Sequence, residues 1–251
     1  MCRHLGYLGP PVPLGRLLFD PPHALATQAW APRDMRGGGT INADGFGAGW
    51  WPPGAAAPVR HRSAMPIWTD TTLPTLAAVT SSRAVLAAVR SATVGMPVVE
   101  SAAAPFTDGR WLFSHNGVIR GWPSAVAAMA RDLPVEDLLT LDAPTDSAFL
   151  WACVRARLRS GEPPSKAVAA VVGEVVAVAP GSRLNLLLND GHQMIATTLG
   201  HALSIRPGRG STLISSEPLD AGTAWQSVPD GQLVVATAAE VEITPLFSAQ
   251  R

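Results

Sequence analysis

The order of the secondary-structure elements is the feature of this sequence that most constrains its fold. In the first half, β-type runs between Gly- and Pro-containing turns predict strands at residues 4–8, 47–51, 84–90, 111–114 and 117–120. The last part of the chain predicts further strands at residues 184–188, 194–198, 211–215, 232–236 and 241–246. Asn189-Asp190-Gly191 is a hairpin turn between the first two of these.

Helices are predicted between the two strand regions. An apolar stripe at helical spacing begins after Asp146, which can serve as N-cap, and Gly161 provides the end of that helix. Cys153 lies on the stripe, so we expect it in the core. A second helix is predicted over residues 167–176, after Pro163-Pro164. Strands, then helices, then strands indicate an α+β fold with antiparallel sheets.

Composition narrows the possible partners. Basic and acidic residues number 19 each, so the formal net charge is +0 and no positive field for nucleic acid or anionic lipid is expected. The longest apolar stretch, residues 167–180, contains Glu174 and falls short of the ~20 apolar residues that a bilayer span needs. We therefore predict a small-molecule partner, no nucleic acid and no membrane. Nothing in the sequence predicts the oligomeric state.

Length and cysteine usage bound the organisation of the chain. Its 251 residues show no shift in composition and no long linker, which favours a single domain over residues 1–251. There are only two cysteines and no secretory leader, so we expect a reducing, cytoplasmic location.

Cys2 combines two catalytic groups if Met1 is removed. It then carries a free α-amine beside its own thiol, so that one residue supplies both a nucleophile and a proton acceptor. A cysteine at this position also occurs by chance in many chains. The thiol alone therefore does not establish catalysis.

Six short motifs strengthen the catalytic interpretation. They are, in chain order, Cys2-Arg3-His4-Leu5-Gly6-Tyr7, Asn42-Ala43-Asp44-Gly45-Phe46-Gly47-Ala48-Gly49-Trp50, Arg90-Ser91-Ala92-Thr93-Val94-Gly95, Ser114-His115-Asn116-Gly117-Val118-Ile119, Thr145-Asp146-Ser147 and Ser216-Glu217-Pro218-Leu219. Together they resemble the class II glutamine amidotransferases, which are N-terminal-nucleophile (Ntn) hydrolases. The resemblance implies a four-layer αββα sandwich with two stacked antiparallel sheets and a nucleophile at the start of a strand.

The resemblance also implies roles for six residues: Cys2 as nucleophile, Asn116 and Gly117 as oxyanion donors, Arg90 with Thr93 as the clamp on the α-carboxylate of a glutamyl group, and Asp146 as the partner of its α-ammonium. Structural interpretations stand beside these roles. Asn116-Gly117 is a common turn dipeptide, so we also expect a turn there. Arg90 could be a surface residue, and Asp146 could be a helix N-cap.

Two departures from the glutamine-hydrolysing members bear on the substrate. Ala88-Val89-Arg90 stands where those members carry His-x-Arg, and Ala102-Ala103-Ala104-Pro105-Phe106 stands where they carry Asn-x-His-Pro-Phe. The missing polar side chains leave room for a bulkier group on the amide nitrogen. A γ-glutamyl amide of a larger amine is therefore expected in place of free glutamine.

The chain length leaves no room for a synthase that would accept ammonia. Cys-Arg-His-Leu-Gly and Arg-Ser-Ala-Thr-Val-Gly are similar to the stand-alone amidohydrolases of ergothioneine biosynthesis, which remove glutamate from an amide whose other half bears a trimethylammonium group. Indole faces bind such groups well. Trp50, Trp51 and Trp68 are therefore possible substrate contacts, with core packing as the alternative for each.

The expected function is hydrolysis of a γ-glutamyl amide through a thioester on Cys2, which needs neither metal nor cofactor. One alternative is a glutaminase subunit that supplies ammonia to a separate synthase. A proteasome-like or acylase-type hydrolase is another. An alternative of a different class is an inactive module that binds glutamyl compounds.

Overall fold

The computed structural model describes residues 2–36 and 41–247, so Met1 lies outside the described part of the chain. The strands are β1 (Arg3–Pro13), β2 (Phe46–Trp50), β3 (Val59–Ser63), β4 (Ser81–Val89), β5 (Phe106–Asp108), β6 (Trp111–Val118), β7 (Arg183–Asn189), β8 (Met194–Thr198), β9 (Ser204–Gly208), β10 (Ser211–Ser215), β11 (Gln226–Ser227), β12 (Gln232–Ala236) and β13 (Val241–Pro245). The helices are α1 (Gly15–Leu18), α2 (Leu25–Trp30), α3 (Thr72–Val79), α4 (Ala127–Arg131), α5 (Val135–Leu139), α6 (Asp146–Arg159) and α7 (Pro164–Val178).

The strands form two antiparallel sheets. The first has the order β11-β9-β10-β1-β4-β2-β3, and the second has the order β13-β12-β8-β7-β6-β5. β1 lies at the centre of the first sheet, between β10 and β4. β6 pairs with β7 over most of its length, whereas β5 pairs only with residues 111–113 of β6.

Three hydrophobic clusters separate four layers. One joins α1–α3 to the outer face of the first sheet through Leu17, Leu25, Phe46, Leu73 and Val85. A second joins α6 and α7 to the outer face of the second sheet through Phe113, Trp151, Val168, Val172 and Leu186. The third lies between the sheets and includes Leu8, Leu86, Leu112, Leu187 and Met194. The expected α+β fold, a four-layer αββα sandwich, is confirmed.

Several of the local predictions are confirmed. The hairpin of β7 and β8 forms, and Gly191 in its turn has a φ of 85°, which favours glycine. The strands at 211–215 and 232–236 have the predicted bounds. Both predicted helices form, and Cys153 is buried in the core as expected. None of the helices in the described ranges is long and apolar enough to cross a membrane.

The predicted turn at Asn116-Gly117 is wrong. β6 runs through both residues without a break, and they pair with Asn185 and Leu184 of β7. A side chain at Gly117 would place its Cβ 1.9 Å from the carbonyl oxygen of Arg183. Glycine therefore serves here to let two strands approach closely, not to reverse the chain.

The prediction that Asp146 is the N-cap of α6 is wrong by one residue. The side chain of Thr145 accepts a hydrogen bond from the Ala148 N–H at 3.2 Å, so Thr145 caps α6. Asp146 is the first helical residue. Its carboxylate is therefore not used as the cap.

Candidate active site

A narrow cavity lies where β1 begins. It is lined by residues from the start of β1, the end of β4, the segment before β5, β6 and the first turn of α6, namely Cys2, Ala88, Val89, Arg90, Ala102, Ala104, Phe106, His115 and Ser147. Arg3 pairs with Val89, so the β1–β4 register continues to Cys2 beside Arg90. The Cys2 side chain is half-buried, with Sγ 3.8 Å from the carbonyl oxygen of Ser91.

Arg90 brings a buried positive charge to this cavity. Its side chain is held by neutral groups, since Nη1 donates to the carbonyl oxygens of Pro97 at 2.9 Å and Asp44 at 3.3 Å. The Asp44 carboxylate accepts from the Ala92 N–H instead. No carboxylate within the described residues forms an ion pair with Arg90. The cavity therefore offers a cation without a counter-ion.

Thr93 follows Arg90 on an exposed loop. It does not line the Cys2 cavity. The structure thus brings Arg90 to Cys2 but does not bring the Thr93 side chain there.

Asn116 is buried on the face of β6 that meets the first sheet. Its Nδ2 donates to Ser216 Oγ over a long 3.4 Å, and Ser216 Oγ also accepts from the His4 N–H at 3.0 Å. Ser216 thus links Asn116 to the strand that begins after Cys2. Because an amide nitrogen has two N–H groups and this contact is long, Nδ2 retains capacity to donate.

The backbone of Gly117 is oriented by the β6–β7 ladder. Its partner Leu184 donates its N–H to Leu199, on the side of β7 away from β6. Gly117 and Leu184 therefore form a non-hydrogen-bonded pair, and the Gly117 N–H points away from β7. β5 is the neighbour of β6 on that side, but its pairing with β6 reaches only as far as Phe113. The Gly117 N–H therefore faces the open end of the sheet.

Asp146 lies beside the cavity at the start of α6 and is buried. Its Oδ2 accepts from the Ile119 N–H at 3.0 Å, and its Oδ1 accepts from the Ser147 N–H at 2.8 Å. Within the described part of the chain no cation pairs with it. Ser147 Oγ lies a further 3.4 Å from Oδ1, whereas Oδ2 keeps a second lone pair, so the anion can still accept from a ligand.

His115 and Ser147 line the cavity but had no predicted role. His115 Nε2 lies 3.0 Å from the carbonyl oxygen of Arg183, and Nδ1 lies 3.0 Å from Ser147 Oγ. A carbonyl only accepts, which assigns the proton to Nε2. Both residues belong to motifs that carry the family resemblance, but the motifs alone did not indicate what these side chains contact.

A buried ion pair behind Cys2 was also missed. Glu217 accepts from Arg3 Nε at 2.8 Å and from His23 Nε2 at 2.6 Å. Burial alone would raise the pKa of this carboxyl, but the hydrogen bonds from His23 and Arg33 and the charge of Arg3 outweigh it and lower the pKa to about 2. Glu217 is therefore ionised at neutral pH.

Two buried histidines lie near this pair. His4 Nδ1 is 2.8 Å from Ser114 Oγ, and His201 Nε2 accepts from Arg183 Nε at 3.1 Å. Burial, reinforced by nearby positive groups, lowers the pKa of each histidine to about 3. Both rings are therefore neutral at physiological pH.

The structure does not bring the three candidate tryptophans to Cys2. Trp50 pairs with Val85, four residues along β4 from Val89 at the Cys2 end, and it packs in the outer core. Trp51 lies between the sheets. Trp68 is 44% exposed on a separate turn. Core packing therefore accounts for the first two indoles.

The second cysteine of the chain, Cys153, lies in a different environment from Cys2. A larger cavity of about 560 Å³ lies among α4, α6 and α7 and includes Cys153. Burial raises the pKa of that thiol to about 12, which makes it a poor nucleophile. No three His, Cys, Asp or Glu side chains among residues 2–36 and 41–247 are close enough together to hold a metal ion.

Comparison with known proteins identifies the family. A model of the family described as glutamine amidotransferases class-II matches residues 19–208. The chain belongs to this family. The predicted family is thereby confirmed.

Two mycobacterial proteins are similar over their whole length. The gamma-glutamyl-hercynylcysteine sulfoxide hydrolase of Mycobacterium tuberculosis (strain CDC 1551 / Oshkosh) is 41% identical, with 100% of this chain and 99% of that protein covered. The protein of the same name from Mycolicibacterium smegmatis (strain ATCC 700084 / mc(2)155) is 39% identical, with 98% and 100% covered. The fold is also that of a solved glutamine aminotransferase class-II domain protein from Silicibacter pomeroyi, with a TM-score of 0.69. The two chains are 22% identical, and the match covers 98% of this chain and 100% of that one.

Proposed function

We propose that this class II amidotransferase family member is a gamma-glutamyl-hercynylcysteine sulfoxide hydrolase, a single catalytic domain that releases glutamate from its substrate. Two full-length relatives at 41% and 39% identity carry that name. The observation that carries the proposal is the cavity that Cys2 shares with Arg90, a buried cation whose hydrogen-bond partners in the described part of the chain are neutral carbonyl groups. A glutamyl α-carboxylate is the anion that such a fork of donors suits.

The glutamyl head is bound by opposite charges. Arg90 takes the α-carboxylate, and Asp146 accepts from the α-ammonium with the lone pairs that the Ile119 and Ser147 N–H groups leave free. Both protein charges are buried, and neither has a counter-ion among residues 2–36 and 41–247. A zwitterionic head therefore restores charge balance. Binding at these two points directs the γ-carbonyl toward Cys2.

The first half of the reaction breaks the amide. The α-amine of Cys2 accepts the thiol proton, the sulfur attacks the γ-carbonyl carbon, and the oxyanion accepts hydrogen bonds from Asn116 Nδ2 and the Gly117 N–H. The C–N bond then breaks as the α-ammonium returns its proton to the leaving amine. The product on the enzyme is a γ-glutamyl thioester.

The second half releases glutamate. A water molecule loses a proton to the same α-amine and attacks the thioester carbon. The C–S bond breaks, the proton passes to the sulfur, and free glutamate leaves. Every proton is returned, so Cys2 and its amine end as they began.

Small side chains favour a bulky leaving amine over ammonia. Ala88, Ala102 and Ala104 line the cavity with Cys2, at the positions where glutamine-hydrolysing members carry the polar side chains noted above. Loss of those polar groups removes hydrogen-bond partners for a primary amide and leaves more space in the cavity. The leaving hercynylcysteine sulfoxide is accommodated on this side of the cavity.

The test compares glutamate release from gamma-glutamyl-hercynylcysteine sulfoxide with release from glutamine. We expect a kcat/KM about 30- to 150-fold higher for the conjugate, because a site that lacks partners for a polar group discriminates by about 2–3 kcal/mol. Cys2→Ala should lower turnover to background. Equal or better turnover of glutamine would instead support the glutaminase alternative.

Covalent labelling provides an independent measurement. A γ-glutamyl diazoketone should add once to the wild-type chain, and intact-mass analysis should find no adduct on Cys2→Ala. Cys153→Ala is the matched control, because that thiol is buried in the helical layer and should leave labelling unchanged. Absence of an adduct on the wild type would favour an inactive binding module.

A further inference from the structure

Arg3 connects three separate parts of the chain beside the nucleophile. Its side chain is 3% exposed. Nη1 donates to the carbonyl oxygen of Cys2 at 3.0 Å, Nε donates to Glu217 at 2.8 Å, and Nη2 donates to the carbonyl oxygen of Asp34. The planar guanidinium therefore fixes the Cys2 main chain relative to two other segments.

The Cys2 carbonyl needs this donor because the strand ladder ends there. The β1–β10 register continues one residue beyond β10, where the Ser216 N–H donates to the His4 carbonyl at 2.9 Å. The chain then bends at residues 216 and 217. Pro218, which would lie opposite Cys2 if the same register continued, has no N–H to donate. The side chain of Arg3 supplies the donor that the backbone lacks.

Glu217 holds Arg3 in place. Its carboxylate accepts four hydrogen bonds, from Arg3 Nε at 2.8 Å, His23 Nε2 at 2.6 Å, Arg33 N–H at 2.8 Å and Asp34 N–H at 3.2 Å. All four donors converge on a side chain that is 4% exposed. Arg3 therefore has little freedom to rotate away from the Cys2 carbonyl.

Once Met1 is removed, Cys2 has no preceding residue to hold it. Its main chain is then held from the carbonyl side, where Arg3 Nη1 donates to it. A residue whose thiol must reach the γ-carbonyl carbon while its amine transfers the protons tolerates little rotation, since a 1 Å misplacement can cost about 100-fold in rate.

We infer that Arg3 and Glu217 are positioning residues for Cys2, acting through the Cys2 carbonyl and not by contact with the substrate. The inference rests on the proposed hydrolase function. The pair sets the orientation of the terminal thiol and amine toward the bound γ-carbonyl. It therefore contributes to kcat and not to binding of the glutamyl head, which Arg90 and Asp146 perform.

The test measures kcat per active site and KM for Glu217→Gln and Arg3→Lys. End-point labelling with the γ-glutamyl diazoketone counts the folded sites, so that a loss of folded protein does not enter kcat. We expect kcat per labelled site to fall about 100-fold in each variant, with KM within about threefold of the wild type. Arg3→Lys keeps the charge opposite Glu217, so it decides the question if Glu217→Gln does not fold.

Asp137→Asn is the matched control. Asp137 is also a buried carboxylate paired with arginines, Arg155 at 2.7 Å and Arg159 at 2.9 Å, but it lies in the helical layer. It should lower the unfolding temperature without changing kcat per site. Wild-type kcat per site in both Arg3→Lys and Glu217→Gln would overturn the inference. If the wild-type chain releases no glutamate, the proposed function is overturned instead. In that case the rate of Cys2 alkylation by iodoacetamide tests the positioning. We expect this rate to be slower in Arg3→Lys and in Glu217→Gln than in the wild type.

Discussion

Arg90 is a buried cation whose only hydrogen-bond partners within the described residues are neutral. Removing a guanidinium from water is costly, and two carbonyl oxygens offset only part of that cost. An anion that enters the cavity completes the compensation, so ligand binding and charge balance are linked at this residue. Residues 84–89, which precede Arg90, are all apolar, and this favours a buried position for the side chain over an open surface.

Arg90→Lys should raise KM for the γ-glutamyl substrate by about 10- to 100-fold. Lysine keeps the charge but loses the planar fork, and a hydrogen bond to a charged group is worth about 1.5–3 kcal/mol. Steady-state kinetics of glutamate release measure the effect. Arg209→Lys, on an exposed turn, is the control and should match the wild type. An unchanged KM in Arg90→Lys would contradict the clamp.

At the scale of elements, the sequence predicted what local chemistry determines. The β7–β8 hairpin has its own turn residues, and α6 and α7 have apolar stripes and end signals, so each could be placed without the rest of the chain. β3, β5, β9 and β11 were not predicted, because they are only five, three, five and two residues long and their local sequence signal is weak. β6 was divided wrongly for another reason: Asn-Gly favours a turn locally, but pairing with β7, which is distant in sequence, keeps the strand straight.

Some residues of the candidate site could be predicted from the sequence, and others could not. Cys2 and Arg90 could be proposed from motif order and residue type. The Arg3–Glu217 pair and the His115–Ser147 contact could not, because each joins side chains that only the tertiary structure brings together. The tryptophans show that residue type alone does not identify a ligand contact. An indole that could bind an ammonium group packs equally well in a hydrophobic core.

Gly117→Ala should destabilise the β6–β7 pairing. The added Cβ would lie 1.9 Å from the Arg183 carbonyl oxygen, so the strands must separate. We expect the free energy of unfolding to fall by about 1–3 kcal/mol in urea titration, the usual cost of overpacking. Gly173→Ala in α7 is the matched control, because nothing lies within 4 Å of its added Cβ. It should be neutral or stabilise the helix by about 0.5–1 kcal/mol.

At the scale of the whole molecule, the two sheets enclose polar groups as well as an apolar core. His4, Ser114, Asn116 and Ser216 meet between the sheets at the end where Cys2 lies, while Leu86 and Leu187 fill the rest of the interface. These four side chains are buried, which keeps them in a fixed arrangement beside Cys2. Burial also keeps His4 and His201 neutral, which couples the stability of the fold to pH.

Stability should therefore fall in mild acid. An unfolded histidine binds a proton near pH 6.5, whereas in the fold the pKa of His4 and of His201 is about 3. Between these values the unfolded chain binds more protons, so the free energy of unfolding decreases as pH falls, by up to ~1.4 kcal/mol per pH unit for each histidine. Urea titrations between about pH 6 and pH 5 measure this slope above the range in which carboxylates dominate.

His201→Gln separates this effect from the general response to acid. Glutamine can still accept from Arg183 Nε but does not titrate, so the variant should lose about one proton of the slope, roughly 1 kcal/mol per pH unit. His192→Gln is the control, because its ring lies on the surface beside Arg83 and should leave the slope unchanged. A wild-type slope in His201→Gln would mean that His201 takes up its proton without unfolding. The polar groups between the sheets would then be accessible to water in the folded protein.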